Sequence, residues 1–124
     1  MEDLCYLLKE VNGAGVYKLN CSLEALHESV QRAEFALFEA DIATAHGKGE
    51  VLAELARAIK APDWFGHNWD ALADALGDLS WNIAPGYVLL LHGDQTGEIV
   101  LDDILNATVE FWRLHEKAFW VFFA

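Results

Sequence analysis

Acidic side chains recur at regular spacing in one half of the sequence. Asp70, Asp74 and Asp78 are four residues apart, a spacing that predicts one acidic stripe on the third helix of the chain. A solvated helix face explains Asp70 alone, since a carboxylate is favoured near a helix N-terminus. Asp74 and Asp78 have no lysine or arginine three or four residues away to relieve their repulsion. We infer that a cationic surface of another molecule supplies the missing counter-charge, with Trp64 as an apolar anchor beside it.

The other candidates for chemistry are weaker. Asp70 and Asp74 could form a carboxylate pair for acid–base catalysis, but no second catalytic residue type lies near them. The five histidines lack the spacing of metal ligands, so neither a metal site nor a cofactor is expected. His92 and Asp94 follow an apolar strand, where α/β proteins place ligands, and this leaves a small-ligand-binding protein open as an alternative. Gly47–Gly49 lacks the phosphate-binding loop pattern and is interpreted as a flexible approach to a helix.

The overall charge excludes some classes of partner. The 124 residues carry 20 acidic and 8 basic side chains, a formal net charge of -12, so the phosphate backbone of a nucleic acid would be repelled. The residues from 61 to 112 include nine of the acids and no lysine or arginine. A basic protein is therefore the expected partner, with no direct nucleic-acid partner. No apolar run reaches the ~20 residues of a membrane helix, and we expect a cytoplasmic protein.

Hydrophobic periodicity predicts alternating strands and helices. Right-handed crossovers between such βα units give a parallel sheet of about four strands, hence an α/β class in one compact domain. Ser22 and Asn68 are expected helix N-caps, and Pro62 ends the second helix. Cys5 and Cys21 lack the spacing of a disulfide framework or zinc site and are expected to be free thiols. The predicted strands are 15–19, 35–42, 87–92 and 119–123, and the predicted helices are 22–32, 51–59, 68–76 and 101–116.

One segment carries a family resemblance. From Ala61 to Leu79 the chain reads APDWFGHNWDALADALGDL. This matches a pattern of proline, acid, two aromatics, glycine, any residue, asparagine, an apolar residue, aspartate, alanine and leucine, with a second acid four residues after the aspartate. The pattern resembles that of the barstar family of intracellular ribonuclease inhibitors, in a bacterial subgroup with an N-terminal extension.

The resemblance implies a fold and a function. It implies a three-stranded parallel core sheet packed with helices over residues 35–124, with residues 1–34 as an added βα unit in the same domain. It also implies a protein without enzymatic activity, which occludes the active site of a basic ribonuclease with an acidic helix and an aromatic loop. Asp74 would reach the phosphate-binding site of the nuclease, Asp70 its basic rim, and Trp64 the pocket mouth. The implied partner-binding residues are Trp64, His67, Asn68, Asp70, Ala73, Asp74 and Asp78.

Two departures keep alternatives open. The best-known member of the family has an aromatic side chain where this chain has Ala73, and a partner-contacting glutamate on its last long helix near Leu114 of this chain. Glu110 or Glu116 could replace that glutamate. The chain could therefore be an immunity module against a basic toxin that is not a ribonuclease. A monomer is compatible with the sequence, which does not fix the oligomeric state.

Overall fold

Four parallel strands form one sheet in the computed structural model, which describes residues 7–62, 66, 68–93 and 99–124. The strands lie in the spatial order β1-β4-β3-β2, and all three pairings are parallel. β1 and β3 flank β4, and all six residues of β4 are buried. The predicted α/β class and parallel sheet are confirmed. The strands are β1 (Val16–Lys18), β2 (Ala36–Asp41), β3 (Gly86–His92) and β4 (Ala118–Phe123).

In the part of the chain that the structure describes, four helices connect these strands, and a 3₁₀ turn at Val11–Gly13 precedes β1. Ser22 caps the first helix as predicted, since its hydroxyl accepts a hydrogen bond from the Ala25 amide at 3.1 Å. The second helix begins at Gly47, so the prediction of a flexible approach at Gly47–Gly49 is wrong. Gly47 has a φ of 82° at the start of this helix, a backbone conformation that glycine adopts without steric cost. The helices are α1 (Leu23–Ala33), α2 (Gly47–Ala58), α3 (Trp69–Leu76) and α4 (Ile99–Leu114).

The core lies between the sheet and its helices. β3 and β4 are apolar on both faces, as expected for parallel strands covered on each side. Trp112 and Trp120 are buried, while Trp81 is half-buried. Burial raises the pKa of the Tyr87 phenol, which donates a hydrogen bond to the Asn82 carbonyl oxygen at 3.0 Å. This bond holds the segment between α3 and β3 against the sheet.

The cysteine prediction is wrong for Cys21, which is disulfide-bonded. The sequence did not reveal this bond, because Cys21 lies in no disulfide motif and only the fold brings bonded sulfur atoms together. Cys5 lies outside the described residues. Among the residues that the structure describes, no helix is both long and apolar enough to cross a membrane.

Candidate functional site

Helix α3 is fixed at its N-terminus by the side chain of Asn68. The Asn68 Oδ1 accepts a hydrogen bond from the Ala71 amide at 2.8 Å, which is the cap expected from the sequence. The Asn68 Nδ2 donates to the carbonyl oxygen of Gly66 at 3.2 Å. Asn68 therefore joins the helix to the chain before it, and these bonds occupy both ends of a side chain that was predicted to bind a partner.

We expect Asn68→Ala to lower the free energy of unfolding by about 1 kcal/mol, because the first-turn amide of Ala71 loses its acceptor. Urea denaturation of the variant measures this change. Asn68→Ser is the matched variant, since serine also caps helices and should restore most of the loss. Equal losses in both variants would show that the cap contributes nothing.

The C-terminal end of α3 is fixed by a tryptophan of α4. Trp112 is buried, and its Nε1 donates to the carbonyl oxygen of Leu76 at 2.8 Å, which is one of the carbonyls that a helix leaves unpaired at its end. The inward face of α3 buries Leu72, Ala75 and Leu76. The opposite face is thereby held rigidly toward solvent.

That solvent face carries Asp70 and Asp74, both exposed and one helical turn apart. Asp78 is also exposed, but α3 ends at Leu76, so the prediction of a three-acid stripe on one helix is wrong. The helix ends because Gly77 has a low helix propensity and Leu79 turns inward to a buried position with a φ of 51°. Asp78 instead lies in the turn, where its carboxylate accepts a hydrogen bond from Ser80 at 3.3 Å.

Asp70 and Asp74 have no cationic partner among the residues that the structure describes. The arginines that form ion pairs there are bound to glutamates of their own helices, as in Arg32–Glu28, Arg57–Glu54 and Arg113–Glu110. The repulsion between the two aspartates, one turn apart, is therefore not relieved within this part of the chain. The predicted acidic face is present with two of its three residues on the helix.

Ala73 lies beside this acidic face and lines a groove between α3 and α4. The groove has a volume of about 340 Å³. Its walls are mostly apolar, and among the described residues that line it Asp74 alone is ionisable. The lining residues are Ala73, Asp74, Gly77, Ile104, Ala107, Thr108 and Phe111.

The remaining predicted site residues are not brought to this face by the described structure. Trp64 and His67, predicted to contact a partner, lie outside the described residues, as does Asp94. Glu110 is paired with Arg113, and Glu116 follows α4 in a left-handed turn with a φ of 60°. Neither glutamate lines the groove beside Asp74.

A second polar cluster joins β2, the end of β3 and α1. Glu39 accepts hydrogen bonds from two histidines, with its Oε2 2.7 Å from His92 Nε2 and its Oε1 3.3 Å from His27 Nε2. The bond from His92 is the main cause that lowers the pKa of Glu39. His27 belongs to α1, so the cluster joins this helix to the sheet. The sequence did not reveal this cluster, because its members are far apart along the chain.

We expect Glu39 to make stability depend on pH. Because folding lowers its pKa, the carboxylate stabilises the protein above its ordinary pKa of 4.5, and this contribution is lost as the pH falls through the folded value. The contribution is at most about 1 kcal/mol, since the side chain is 43% exposed and screened by solvent.

Urea denaturation of the protein and of Glu39→Gln tests this expectation. The difference in the free energy of unfolding should be present at neutral pH and should shrink as the pH falls below 4.5. A difference that stays constant across this range would contradict the assignment. Glu24→Gln, an exposed glutamate of α1, is the control for loss of charge alone.

The histidine cluster does not qualify as a metal site. No group of three or more histidines, cysteines, aspartates or glutamates among the described residues is arranged to hold a metal ion. The acidic face of α3 and the adjoining groove are therefore the stronger candidate site, since exposed carboxylates could pair with cationic side chains of a partner.

A family model for barstar, described as the barnase inhibitor, matches residues 35–124. The chain belongs to the barstar family. Searches of curated proteins and of solved structures found no match. The barstar match spans α2, α3, β3, α4 and β4, and it begins one residue before β2. The acidic face and the groove both lie within the barstar region, whereas β1 and α1 precede it.

The barstar region also contains a feature that the sequence did not predict. Phe111 is 37% exposed and Leu114 is 77% exposed, although both are large apolar residues on α4. Helical periodicity could assign them to the core or to the surface. The packing of α4 decides between core and surface for Phe111, because Trp112 fills the position against α3 and leaves Phe111 at the groove.

Proposed function

We propose that this protein is an inhibitor that binds a basic ribonuclease and occludes its active site with the exposed acidic face of α3. The observation that carries the proposal is the pair of exposed aspartates, Asp70 and Asp74. They lie on a helix fixed at both ends, and neither forms an ion pair within the described structure. Membership of a family described as the barnase inhibitor supports a protein partner of this kind.

The chemistry of the acidic face suits the active site of a ribonuclease. A nuclease binds the phosphates of its substrate with arginine, lysine and histidine side chains, and a carboxylate can accept bidentate hydrogen bonds from the same groups. Asp74 would occupy the phosphate-binding site and Asp70 its basic rim, with Trp64 and His67 in the loop before the helix. The net charge of -12 would accelerate the encounter with a basic protein. The protein would act by binding, without catalysis or cofactor.

The alternative is inhibition of a basic toxin that is not a ribonuclease. The observation that favours it is the small, exposed Ala73. The best-known member of the family resembled by this segment has an aromatic side chain at that place. A different side chain at this place alters the surface beside Asp74, and a different surface would fit a different target. A small-ligand-binding protein is less well supported, because His92 is bonded to Glu39.

We further propose that the chain is one barstar-like domain with an N-terminal addition. Residues 1–34 would be an extra βα unit on a three-stranded core of residues 35–124. The support is that β1 and α1 precede the matched region and that β1 pairs with β4 at the edge of the sheet. We propose that the protein acts in the cytoplasm of a bacterium that makes the target nuclease, as an immunity protein.

Titration of the purified protein into a barnase-type microbial ribonuclease tests the proposed function, with RNA cleavage as the readout. We expect stoichiometric inhibition that is lost in Asp70→Ala/Asp74→Ala. The matched control is Glu24→Ala/Glu50→Ala, which removes two exposed acids from the first turns of α1 and α2 and changes the net charge equally. Full RNA cleavage at an excess of the protein would reject this class of target.

A further inference from the structure

We propose that the groove between α3 and α4 binds a large apolar side chain of the basic partner, directly beside the cation that Asp74 meets. This inference rests on the proposed function, because it assigns a second contact within the same binding face. The sequence alone did not indicate it, since the groove exists only when α3 and α4 are packed together.

The groove is built to receive a side chain. Its floor and rims carry the small residues Ala73, Gly77 and Ala107, and its volume of about 340 Å³ falls within the range of pockets that bind small molecules, ~300–1,000 Å³. The hydroxyl of Thr108 donates to the Ile104 carbonyl oxygen at 2.8 Å, so the groove does not need a polar occupant for that group. An apolar group of aromatic size fits this lining.

One wall of the groove is an aromatic ring that is held in place while partly exposed. The ring of Phe111 meets the ring of Trp112 edge to face, with centroids 5.2 Å apart and planes at 89°. It also contacts the ring of His115, with centroids 4.4 Å apart. Phe111 therefore stays at the groove instead of turning into the core, and it offers an ordered apolar surface of the kind found in the centres of protein interfaces.

The charge around the groove selects the occupant. Asp74 forms part of the lining, and the residues from 61 to 112 contain no lysine or arginine. A second copy of this chain would bring its own acidic face to the same place, and the two faces would repel each other. An apolar side chain flanked by cations meets both requirements, because the ring enters the groove while a cation pairs with Asp74.

A tripeptide probe tests the groove without any nuclease. We expect acetyl-Arg-Phe-Arg-amide to shift the backbone amide NMR signals of Ala73, Gly77 and Ala107 in a saturable manner. Acetyl-Arg-Ala-Arg-amide should bind at least about tenfold more weakly, since it lacks the ring. Acetyl-Glu-Phe-Glu-amide should not bind, because Asp74 repels it. Equal binding of the two arginine peptides, or no saturable shift with either, would overturn the proposal.

Substitutions on α4 provide the matched controls. Ala107→Phe should fill the groove and weaken binding of the phenylalanine peptide at least about tenfold. Asn106→Phe adds the same ring on the neighbouring position, which does not line the groove, and should leave binding unchanged. Phe111→Ala removes the aromatic wall and should weaken binding even if Ala107→Phe does not fold. Unchanged affinity in Phe111→Ala would overturn the proposal.

The two proposals can fail separately. Peptide binding without inhibition of the ribonuclease would keep the groove and reject that target. If the protein inhibits the ribonuclease and a folded Ala107→Phe variant binds that ribonuclease with unchanged affinity, the proposed function would stand and the proposed role of the groove would be rejected. Sedimentation equilibrium tests whether a second copy of the chain occupies the groove. Self-association that is lost in Ala107→Phe would assign the groove to a second copy and overturn the proposal.

Discussion

Asp74→Ala is expected to weaken binding to an inhibited ribonuclease by about 2–5 kcal/mol, the general range for loss of one partner of a buried charge pair, to which measurements on a barnase–barstar complex contribute. The large effect has a physical reason. Removal of the carboxylate leaves the partner's cation buried and unpaired, and the cost appears mainly as a faster dissociation rate. Surface plasmon resonance at fixed ionic strength measures both rate constants.

Asp78→Ala is the matched control for this expectation. Asp78 is exposed in the turn after α3 and accepts a hydrogen bond from Ser80, so it would lie at the rim of the interface. Loss of Asp78 should lower the association rate and should make that rate depend less on salt concentration. The dissociation rate should stay nearly unchanged. Equal, small effects at Asp74 and Asp78 would contradict the assignment of a central role to Asp74.

Trp120→Ala is expected to cause the largest loss of stability, about 3–5 kcal/mol of the free energy of unfolding. Trp120 is fully buried in β4, and its ring stacks on Phe122 at a centroid distance of 5.7 Å. Its Nε1 donates to the carbonyl oxygen of Leu8 at 2.8 Å, so the truncation also leaves a backbone acceptor unpaired. Chemical denaturation followed by circular dichroism measures the loss.

Two further variants test the contribution of the hydrogen bond and the contribution of burial. Trp120→Phe keeps a ring in the core but removes the donor to Leu8, and it should cost less than the alanine variant. Ile83→Ala removes an apolar side chain that is 80% exposed, and it should change stability by less than about 0.5 kcal/mol. A loss in Ile83→Ala as large as that in Trp120→Ala would refute the role of burial.

Local patterns in the sequence predicted much of the fold. The caps at Ser22 and Asn68 depend on contacts within three residues, and the structure contains both. The strands β3 and β4 were predicted because a run of apolar residues needs cover on both faces. The strand order β1-β4-β3-β2 was not predicted, because pairing between distant strands leaves no local pattern.

The candidate site was predicted only in part, because local patterns reveal residues that are close in sequence and not those that packing brings together. The acids of α3 are close in sequence, so their spacing revealed the exposed face of Asp70 and Asp74. The end of the helix before Asp78 depends on Leu79 turning into the core, which periodicity does not show. The groove and the Glu39 cluster each join residues from separate elements, and only tertiary packing brings these together.

The short strand β1 covers an edge of β4 through which chains could otherwise aggregate. Its three residues pair with Val121, Phe122 and Phe123, and the amide of Leu19 extends the pairing to the carbonyl oxygen of Phe123 at 2.8 Å. Without this cover, β4 would present the unpaired backbone of a six-residue apolar strand, which is a template for cross-chain β pairing. The N-terminal segment thus covers the edge of an apolar strand that could otherwise pair with another molecule.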